Sequence, residues 1–406
     1  MPPRTIKQKN NCGLCSSTNL EQVIDLGNVP LAGCYLKEED INKEIYCPLA
    51  LNLCLKCGCI QVSHIVSPEI LYKDYRYLSS VSLSNHFKQY AEEMNVRFLK
   101  KDSFIVEIGS NDGVLLKPLQ DMGFNVLGVD PAINIAQKAI EQGIDTITNY
   151  FTPRLARRIV SKKRKADAIF ANNVLAHIEH LDKVFEGIKI LLTQDGFGVF
   201  EINYLVDLIE KVQYDIIYHE HHYYHTVTAL NPFLDKFGFE IFDIKRISTH
   251  FGSIRVYFKN KGNNRYQNTE SLEKLCNIEK QLGLFLPDTY KIFMKKAIEK
   301  KDKLIKNILE IHNENKVIVG YGASGRANML LNFCGIDNFM LDYIVDESPE
   351  RYGRYTPGTH IPIYPPSKFR QEYPDYALLL AFSYKDMIME KEKEFIKRGG
   401  EFIMPI

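Results

Sequence analysis

The chain has 406 residues, 45% hydrophobic and 25% charged, with a formal net charge of +1. At roughly 100–200 residues per domain, this length suits two or three domains with ordinary cores, and no disulfide scaffold is needed. The near-neutral balance leaves no basic footprint for nucleic acid or an anionic membrane, and no apolar run approaches the roughly 18–20 residues of a membrane span.

The N-terminal stretch, Met1 to Lys9, lacks the apolar core of a signal peptide, so a cytoplasmic protein without membrane or nucleic-acid partners is expected. In a reducing compartment, clustered cysteines bind metal or do redox chemistry more often than they form disulfides. Two C-x-x-C pairs stand out among the nine cysteines, Cys12 with Cys15 and Cys54 with Cys57. Each pair can present two thiolates to one ion, and together they complete the tetrahedron that structural zinc prefers. Gly13 and Gly58 fall where knuckle turns need a permissive backbone. Cys47 and Cys59 lie nearby, but Cys57 keeps the x-x spacing. A thioredoxin-like redox pair is the rival reading, and neither pair sits in a βαβ pattern. A closed four-thiolate site implies a structural role, stabilising a segment too short for its own core.

A tyrosine- and serine-rich stretch, Leu71 to Ser80, precedes a helical segment near Ser84–Leu99. Strand-like runs at Phe104–Ile108, Val126–Val129, Ala168–Phe170 and Gly198–Ile202 then alternate with helical ones, which reads as a parallel α/β sheet. The runs Ile241–Ile247 and Ser253–Phe258 read as an antiparallel pair around Gly252. Residues 268–313 are charged and helical and are expected to link or brace two domains. A second α/β unit opens at Val317, with strands at Asp342–Val345 and Tyr376–Ala381. The fold class is thus α/β, in three parts: a small zinc domain over 1–70, a Rossmann-like domain over 71–300, and a second Rossmann-like α/β domain over 301–406.

The strand Phe104–Ile108 runs into Gly109, Ser110, Asn111, Asp112 and Gly113. Glycines there let the backbone approach a ligand where a Cβ would collide. About twenty residues on, Asp130 ends the next strand and can accept hydrogen bonds from ribose hydroxyls. A dinucleotide site has similar geometry, but this loop lacks the third glycine of G-x-G-x-x-G. Its acids, Glu107 and Asp112, would repel a pyrophosphate and favour a sulfonium, so S-adenosylmethionine is the preferred ligand. Asn172 and Asn173, at the end of the strand Ala168–Phe170, face the same crevice, with His177 just beyond.

Four of the eleven histidines fall between His219 and His225, in Tyr218-His219-Glu220-His221-His222-Tyr223-Tyr224-His225. Metal binding, acid–base catalysis and a polar surface loop are all open. The pattern H-E-x-x-H fails, because Tyr223 stands where the second histidine belongs. A histidine can take a proton at neutral pH, Tyr218 can donate to an oxyanion, and Glu220 can orient an imidazole. Further on, Gly320, Gly322 and Gly325 match G-x-G-x-x-G between a strand and a helix, followed by Arg326 and Asn328. This loop suits NAD, with Asp346 for a ribose, or a nucleotide sugar held by Ser324, Arg326 and Asn328, or no ligand at all.

These motifs in this order resemble the sugar C-methyltransferases, which add a methyl carbon to nucleotide-activated 4-keto deoxysugars. The resemblance spans nearly the whole chain and includes Tyr75-Arg76-Tyr77, the Glu107–Gly113 loop, Tyr218–His221 and Gly320–Asn328. It implies a zinc domain, a central adenosylmethionine domain, and a C-terminal domain that clamps the dTDP or GDP sugar without NAD. A base would remove the hydrogen on C3, beside the C4 ketone, and the enolate carbon would attack the sulfonium methyl. By resemblance the base is His221, with Tyr218, Glu220 and His177 placing the sugar and stabilising the enolate. Tyr75 or Tyr77 would close over cofactor or substrate, and Gly322, Ser324, Arg326 and Asn328 would hold the nucleotide sugar. The product would be a branched deoxysugar made by a monomer or weak homodimer. Rival functions are an NAD-dependent nucleotide-sugar oxidoreductase or epimerase, and a zinc-knuckle module binding RNA. His222 and His225 enrich the loop, so several imidazoles compete for the role of base.

Overall fold

The computed structural model describes residues 6–71 and 80–405. Tyr75 and Tyr77, expected near cofactor or substrate, lie outside the described residues. Among the described residues, no helix is long and apolar enough to cross a membrane.

The N-terminal unit is built from β1 (Ile6–Gln8), β2 (Leu20–Pro30), β3 (Tyr46–Cys54), β4 (Ile60–Val62) and β5 (His64–Val66). β1 pairs with β5, while β2, β3 and β4 form an antiparallel meander. Leu49, Leu51 and Leu53 share one face of β3 and are buried, as the two-residue period of a strand requires. The meander gains a fourth strand from far downstream, at Tyr223–Tyr224, which pairs with β4.

The middle unit is a seven-stranded sheet. It contains β6 (Phe104–Ile108), β7 (Asn125–Asp130), β8 (Thr146–Thr148), β9 (Ala166–Asn172) and β10 (Leu192–Asn203). After β11 (Tyr223–Tyr224) come β12 (Phe239–Ile247) and β13 (Ser253–Asn260), which complete the order β12-β13-β10-β9-β6-β7-β8. The strands β6 to β10 run parallel, and β13 enters antiparallel between β10 and β12. Strands covered on both faces read as continuous apolar runs, and all five residues of β6 are buried. From β6 the chain steps to β7 on one side and later to β9 on the other. That reversal opens a crevice at the carboxyl ends of β6 and β9, where open α/β sheets bind ligands.

The helices Ser271–Gln281 and Pro287–Asn313 fill the segment expected to be helical. The second buries Tyr290, Phe293 and Ala297 in one half and Leu304, Ile308 and Ile311 in the other. It packs against β2 and against the helix Gly325–Cys334, bracing the first and last units.

The last unit is a parallel sheet with the order β16-β15-β14-β17-β18. Its strands are β14 (Ile318–Tyr321), β15 (Ile344–Val345), β16 (Ile363–Tyr364), β17 (Tyr376–Leu379) and β18 (Glu401–Ile403). The strand expected over Asp342–Val345 is paired only at its last two residues. The chain turns there because the carboxylate of Asp346 accepts from the amides of Ala323 and Ser348. The strand expected to reach Ala381 stops at Leu379, where the amide of Leu380 turns back to the carbonyl of Leu378.

Candidate active site

Cys12, Cys15, Cys54 and Cys57 bring their sulfurs within 4.8 Å of one another. Cys12 and Cys57 are 3.6 Å apart, and Cys15 and Cys54 are 3.5 Å apart. A zinc ion at about 2.3 Å from each thiolate of a tetrahedron needs sulfurs about 3.8 Å apart, so the donor set fits the ion. Cys59 instead turns toward the carbonyl of Ile60, and Cys47 is buried with Leu31 and Val66. Gly58 has φ +75°, as the knuckle turn demands. Gly13 is needed for a different reason from the turn expected: a Cβ there would stand 1.9 Å from the hydroxyl of Tyr223.

The loop after β6 is shaped by two glycines with positive φ. At Gly109 a Cβ would meet Val174, and at Gly113 it would meet Ile144. Asn111 and Asn173 also adopt left-handed backbone, which asparagine tolerates better than most residues. Asp130 holds the loop, its two oxygens accepting from the amides of Asn111 and Ala132, each at 2.9 Å. Each oxygen keeps further acceptor capacity for a hydroxyl.

Glu107 is buried at the end of β6 and accepts from Asn172 at 3.1 Å. Burial, reinforced by Asp130 and Asp112, pushes its carboxyl up to about 8. Its Oε2 has no partner, nor do the side-chain oxygens of Ser110, Asn172 and Asn173, all buried. Buried acceptors without donors are costly, and clustered carboxylates favour positive charge. The crevice therefore fits a ligand that offers hydroxyl and amino donors together with a cation. S-adenosylmethionine has all three, whereas a dinucleotide pyrophosphate would add a dianion.

The histidine loop sorts itself by packing. The amide of His222 donates to Ala176 and its carbonyl accepts from Val62, while β11 joins β4 directly after. His219 points to the carbonyl of Cys47, and His225 stacks near Tyr223. His219 thus faces the N-terminal meander, while His222 and His225 flank β11. His222 is 2% exposed, and neither ring nitrogen has a partner. Among the described residues, the cysteine quartet is the group of metal-ligating side chains gathered closely enough for an ion, and the histidines do not join one.

His221 packs its ring against two of the three residues expected to work with it. Its ring lies 4.1 Å from that of Tyr218 and 4.9 Å from that of His177, centroid to centroid. Its Nδ1 is 3.0 Å from the carbonyl oxygen of Ile216. A carbonyl has no proton to give, so Nδ1 carries the hydrogen and Nε2 keeps the lone pair. Burial, and the neighbouring His177, His250 and Arg326, hold His221 well below the usual histidine range. Burial likewise lowers His177 to about 4, opposed by its hydrogen bond to the main-chain carbonyl of Glu220. The Glu220 carboxyl is pushed up to about 7 by burial and lies against Gly33, where a Cβ would be 2.9 Å from Oε1.

The third loop is largely committed to joining units. Gly322 has φ +96°, and a Cβ there would meet Ala381. Ser324 caps its helix by accepting from the amide of Ala327. Asn328 donates to the carbonyl of Ala32 at 2.7 Å, and the Tyr35 hydroxyl donates to the carbonyl of Ala323. Arg326 donates from Nε to Asp215 at 2.7 Å and reaches the carbonyl of His250. Asp346, the acid available for a ribose, already serves Ala323, Ser348 and Arg351.

Three features of this site were not read from the sequence. His250 and Phe251 both have positive φ, ahead of Gly252 at φ +142°. Asp215 is fully buried beneath Arg326. Glu201, also fully buried, is held by His86 at 3.0 Å and Arg255 at 3.1 Å. Only Gly252 carried a local signal, since a glycine between two strands marks a tight turn.

Comparison with known proteins decides the family. A C-methyltransferase C-terminal domain model matches residues 248–406, a zinc binding domain model matches 12–72, and a methyltransferase domain model matches 83–244. The C-methyltransferase NovU of Streptomyces niveus is 30% identical over 405 residues, 99% of this chain and 96% of that protein. The chain belongs to the C-methyltransferase family.

This C-methyltransferase depends on S-adenosylmethionine and carries a zinc-binding domain with a four-cysteine cluster. It is also similar to the mitochondrial ubiquinone biosynthesis O-methyltransferase of Mus musculus, 31% identical over 83 residues, 19% of this chain and 22% of that protein. Among solved structures, the magnesium protoporphyrin IX methyltransferase of Synechocystis PCC 6803 with bound SAH is 17% identical. The similarity covers 45% of this chain and 84% of that one, at a TM-score of 0.37.

Proposed function

We propose that this C-methyltransferase methylates C3 of a dTDP- or GDP-activated 4-keto-6-deoxy sugar, with His221 as the base, in the making of a branched deoxysugar. Methyl transfer to oxygen or nitrogen can use a lone pair already on the acceptor. A saturated carbon bound to hydrogen has none, so it must first lose a proton. A ketone beside that carbon makes the removal feasible, because the electron pair of the C–H bond becomes an enolate.

The observation that carries the reading is the 3.0 Å contact between His221 Nδ1 and the Ile216 carbonyl. With Nδ1–H committed to the Ile216 carbonyl, Nε2 keeps its lone pair, and burial keeps the ring neutral. The proton from C3 passes to Nε2, and the negative charge that develops on the ketone oxygen needs a donor nearby. Tyr218, tilted over the same imidazole, would supply a phenolic O–H for that purpose. His177 stands edge-on to His221 and would help to place the sugar. Glu220, with its carboxyl pushed up to about 7, can lend a proton or accept a sugar hydroxyl.

S-adenosylmethionine held by Glu107, Gly109, Asn111, Asp112, Gly113, Asp130, Asn172 and Asn173 would supply an electrophilic methyl carbon. Gly322, Ser324, Arg326 and Asn328 would border the nucleotide end of the sugar. In this scheme residues 1–70, 71–300 and 301–406 act as zinc, methyl-donor and nucleotide-sugar domains. Most of the acceleration then comes from orientation and from stabilising the enolate oxygen.

The test is His221→Ala with 4-keto-6-deoxy sugars on dTDP and GDP carriers. Wild-type enzyme should exchange the C3 hydrogen with heavy water and, with labelled adenosylmethionine, add one methyl by mass. The variant should lose both activities while still binding adenosylmethionine. Undiminished exchange and turnover would remove His221 as the base. No exchange or methylation of either sugar by wild type would remove the substrate class.

A further inference from the structure

The tautomer that makes Nε2 of His221 a base is fixed by one carbonyl, that of Ile216. Ile216 ends a single helical turn, Tyr214–Ile216. That turn follows Val212, a β-branched residue at φ +56°, where left-handed backbone is strained. Such a turn needs outside support to hold its carbonyl in place. Its middle residue, Asp215, is fully buried and sends its carboxylate to Arg326 rather than to anything in its own sheet.

Arg326 stands at the start of the helix Gly325–Cys334, in the last unit. Its Nε donates to Asp215 at 2.7 Å, and its Nη1 approaches the carbonyl of His250 at 3.4 Å. Its guanidinium lies 5.6 Å from the ring of Phe251 and 5.1 Å from that of Phe382. One side chain thus ties the glycine-rich loop after β14 to two strained segments of the middle unit, 212–216 and 250–252. A planar guanidinium can fix direction as well as charge, which a lysine ammonium cannot. Breaking a buried pair leaves an uncompensated charge, so the arrangement is held firmly or lost altogether.

We propose that Asp215 and Arg326 are positioning residues for methyl transfer: their ion pair holds the Ile216 carbonyl where it selects the Nδ1–H tautomer of His221. The last unit then sets the protonation pattern of the base. The proposal adds to the reading of His221 as the base, and it concerns a contact that exists without substrate.

The deciding measurement is ¹⁵N NMR of histidine-labelled full-length enzyme without substrate, with the His221 signals assigned by their loss in His221→Asn. In wild type, the Nε2 shift should report a lone pair and the Nδ1 shift a bound hydrogen. Arg326→Gln should turn this into a mixture of tautomers. Its kcat should fall by the factor by which the Nδ1–H tautomer is depleted, about 2- to 10-fold for a detectable mixture, with little change in the KM for adenosylmethionine. Arg326→Lys should recover part of the kcat, because charge returns without the directed Nε–H. If Arg326→Gln gives no folded protein, Asp215→Asn, which keeps the shape, is read in the same way. An unchanged His221 tautomer in a folded variant overturns the proposal. A mixed tautomer with full turnover leaves the ion pair's control of the tautomer standing but overturns its role in methyl transfer together with His221 as the base, so the two failures are distinguishable.

Discussion

His177 and His221 stand edge to face, their ring centroids 4.9 Å apart, although forty-four positions separate them in the chain. His177 lies on the turn Leu175–His177 after β9, and His221 on the loop that leads into β11. The two turns are pinned together by the His222 amide, which donates to the Ala176 carbonyl at 2.7 Å. The pair therefore behaves as one rigid unit beside the methyl-donor crevice. Replacing His177 with Phe keeps the ring contact and removes the nitrogens. It should lower kcat about 10- to 100-fold, the usual range for a positioned hydrogen-bonding group, while adenosylmethionine affinity measured by calorimetry stays within about twofold.

The methyl-donor loop should respond sharply to change at Asp130. Asp130→Ala removes the acceptor for the amides of Asn111 and Ala132. The one bond that Asp130 would also accept from a ribose hydroxyl contributes about 1.5–3 kcal/mol, so adenosylmethionine should bind at least roughly 10- to 100-fold more weakly by calorimetry. Gly109→Ala should do the same by a different route, since its φ is +69° and a Cβ would meet Val174 at 2.6 Å.

Acid should destabilise the fold below the usual histidine range. Burial lowers His177, His219, His225 and His250 to about 4 and His222 to about 3, with His221 also well below its ordinary value. Between pH 6.5 and about 4, the unfolded chain takes up protons that the native chain refuses, so stability falls as pH falls. Glu107 and Glu220 act with the opposite sign, because their raised carboxyls hold protons in the native state from about 8 and about 7 down to 4.5. Six histidines outweigh two glutamates, and each net proton is worth about 1.4 kcal/mol per pH unit. Thermal melts should therefore show Tm dropping steeply from pH 6.5 to 5 and changing less between 7 and 8.

Zinc removal should undo more than the first sixty residues. The meander lends β4 to β11, and its loop carbonyl at Ala32 holds Asn328. The purified enzyme should contain about one zinc per chain by mass spectrometry. Chelation, or Cys12→Ser, should lower Tm and abolish methyl transfer, even though the cysteines stand apart from the crevice. Structural zinc of this type contributes about 10–16 kcal/mol of apparent binding energy to folding.

Glu279 offers a stability test away from the chemistry. It is fully buried in the helix Ser271–Gln281 and accepts from the amides of Val227 at 2.6 Å and Thr228 at 2.9 Å. These amides open the helix Val227–Asp235, which follows the histidine loop. Glu279→Ala strands both donors and should cost about 2–4 kcal/mol in urea unfolding.

The sequence by itself determined what local chemistry can determine. The C-x-x-C spacing named the four thiolates that come together, and apolar runs with intervening helices named the longer parallel strands but not the short β8, β16 and β18. The Glu107–Gly113 loop with Asp130 marked a tight glycine turn at the end of β6, and the structure shows Asp130 holding that turn through the amide of Asn111. Residue type alone could not rank the four histidines from His219 to His225. Only the tertiary structure did so, by turning His219 toward the meander and packing the ring of His221 against His177 and Tyr218. It also decided that β11 belongs to the N-terminal sheet, and that Arg326 reaches back to Asp215. These contacts join residues tens to hundreds of positions apart, and their partners are chosen by packing between units, which leaves no periodicity or spacing for a sequence to display.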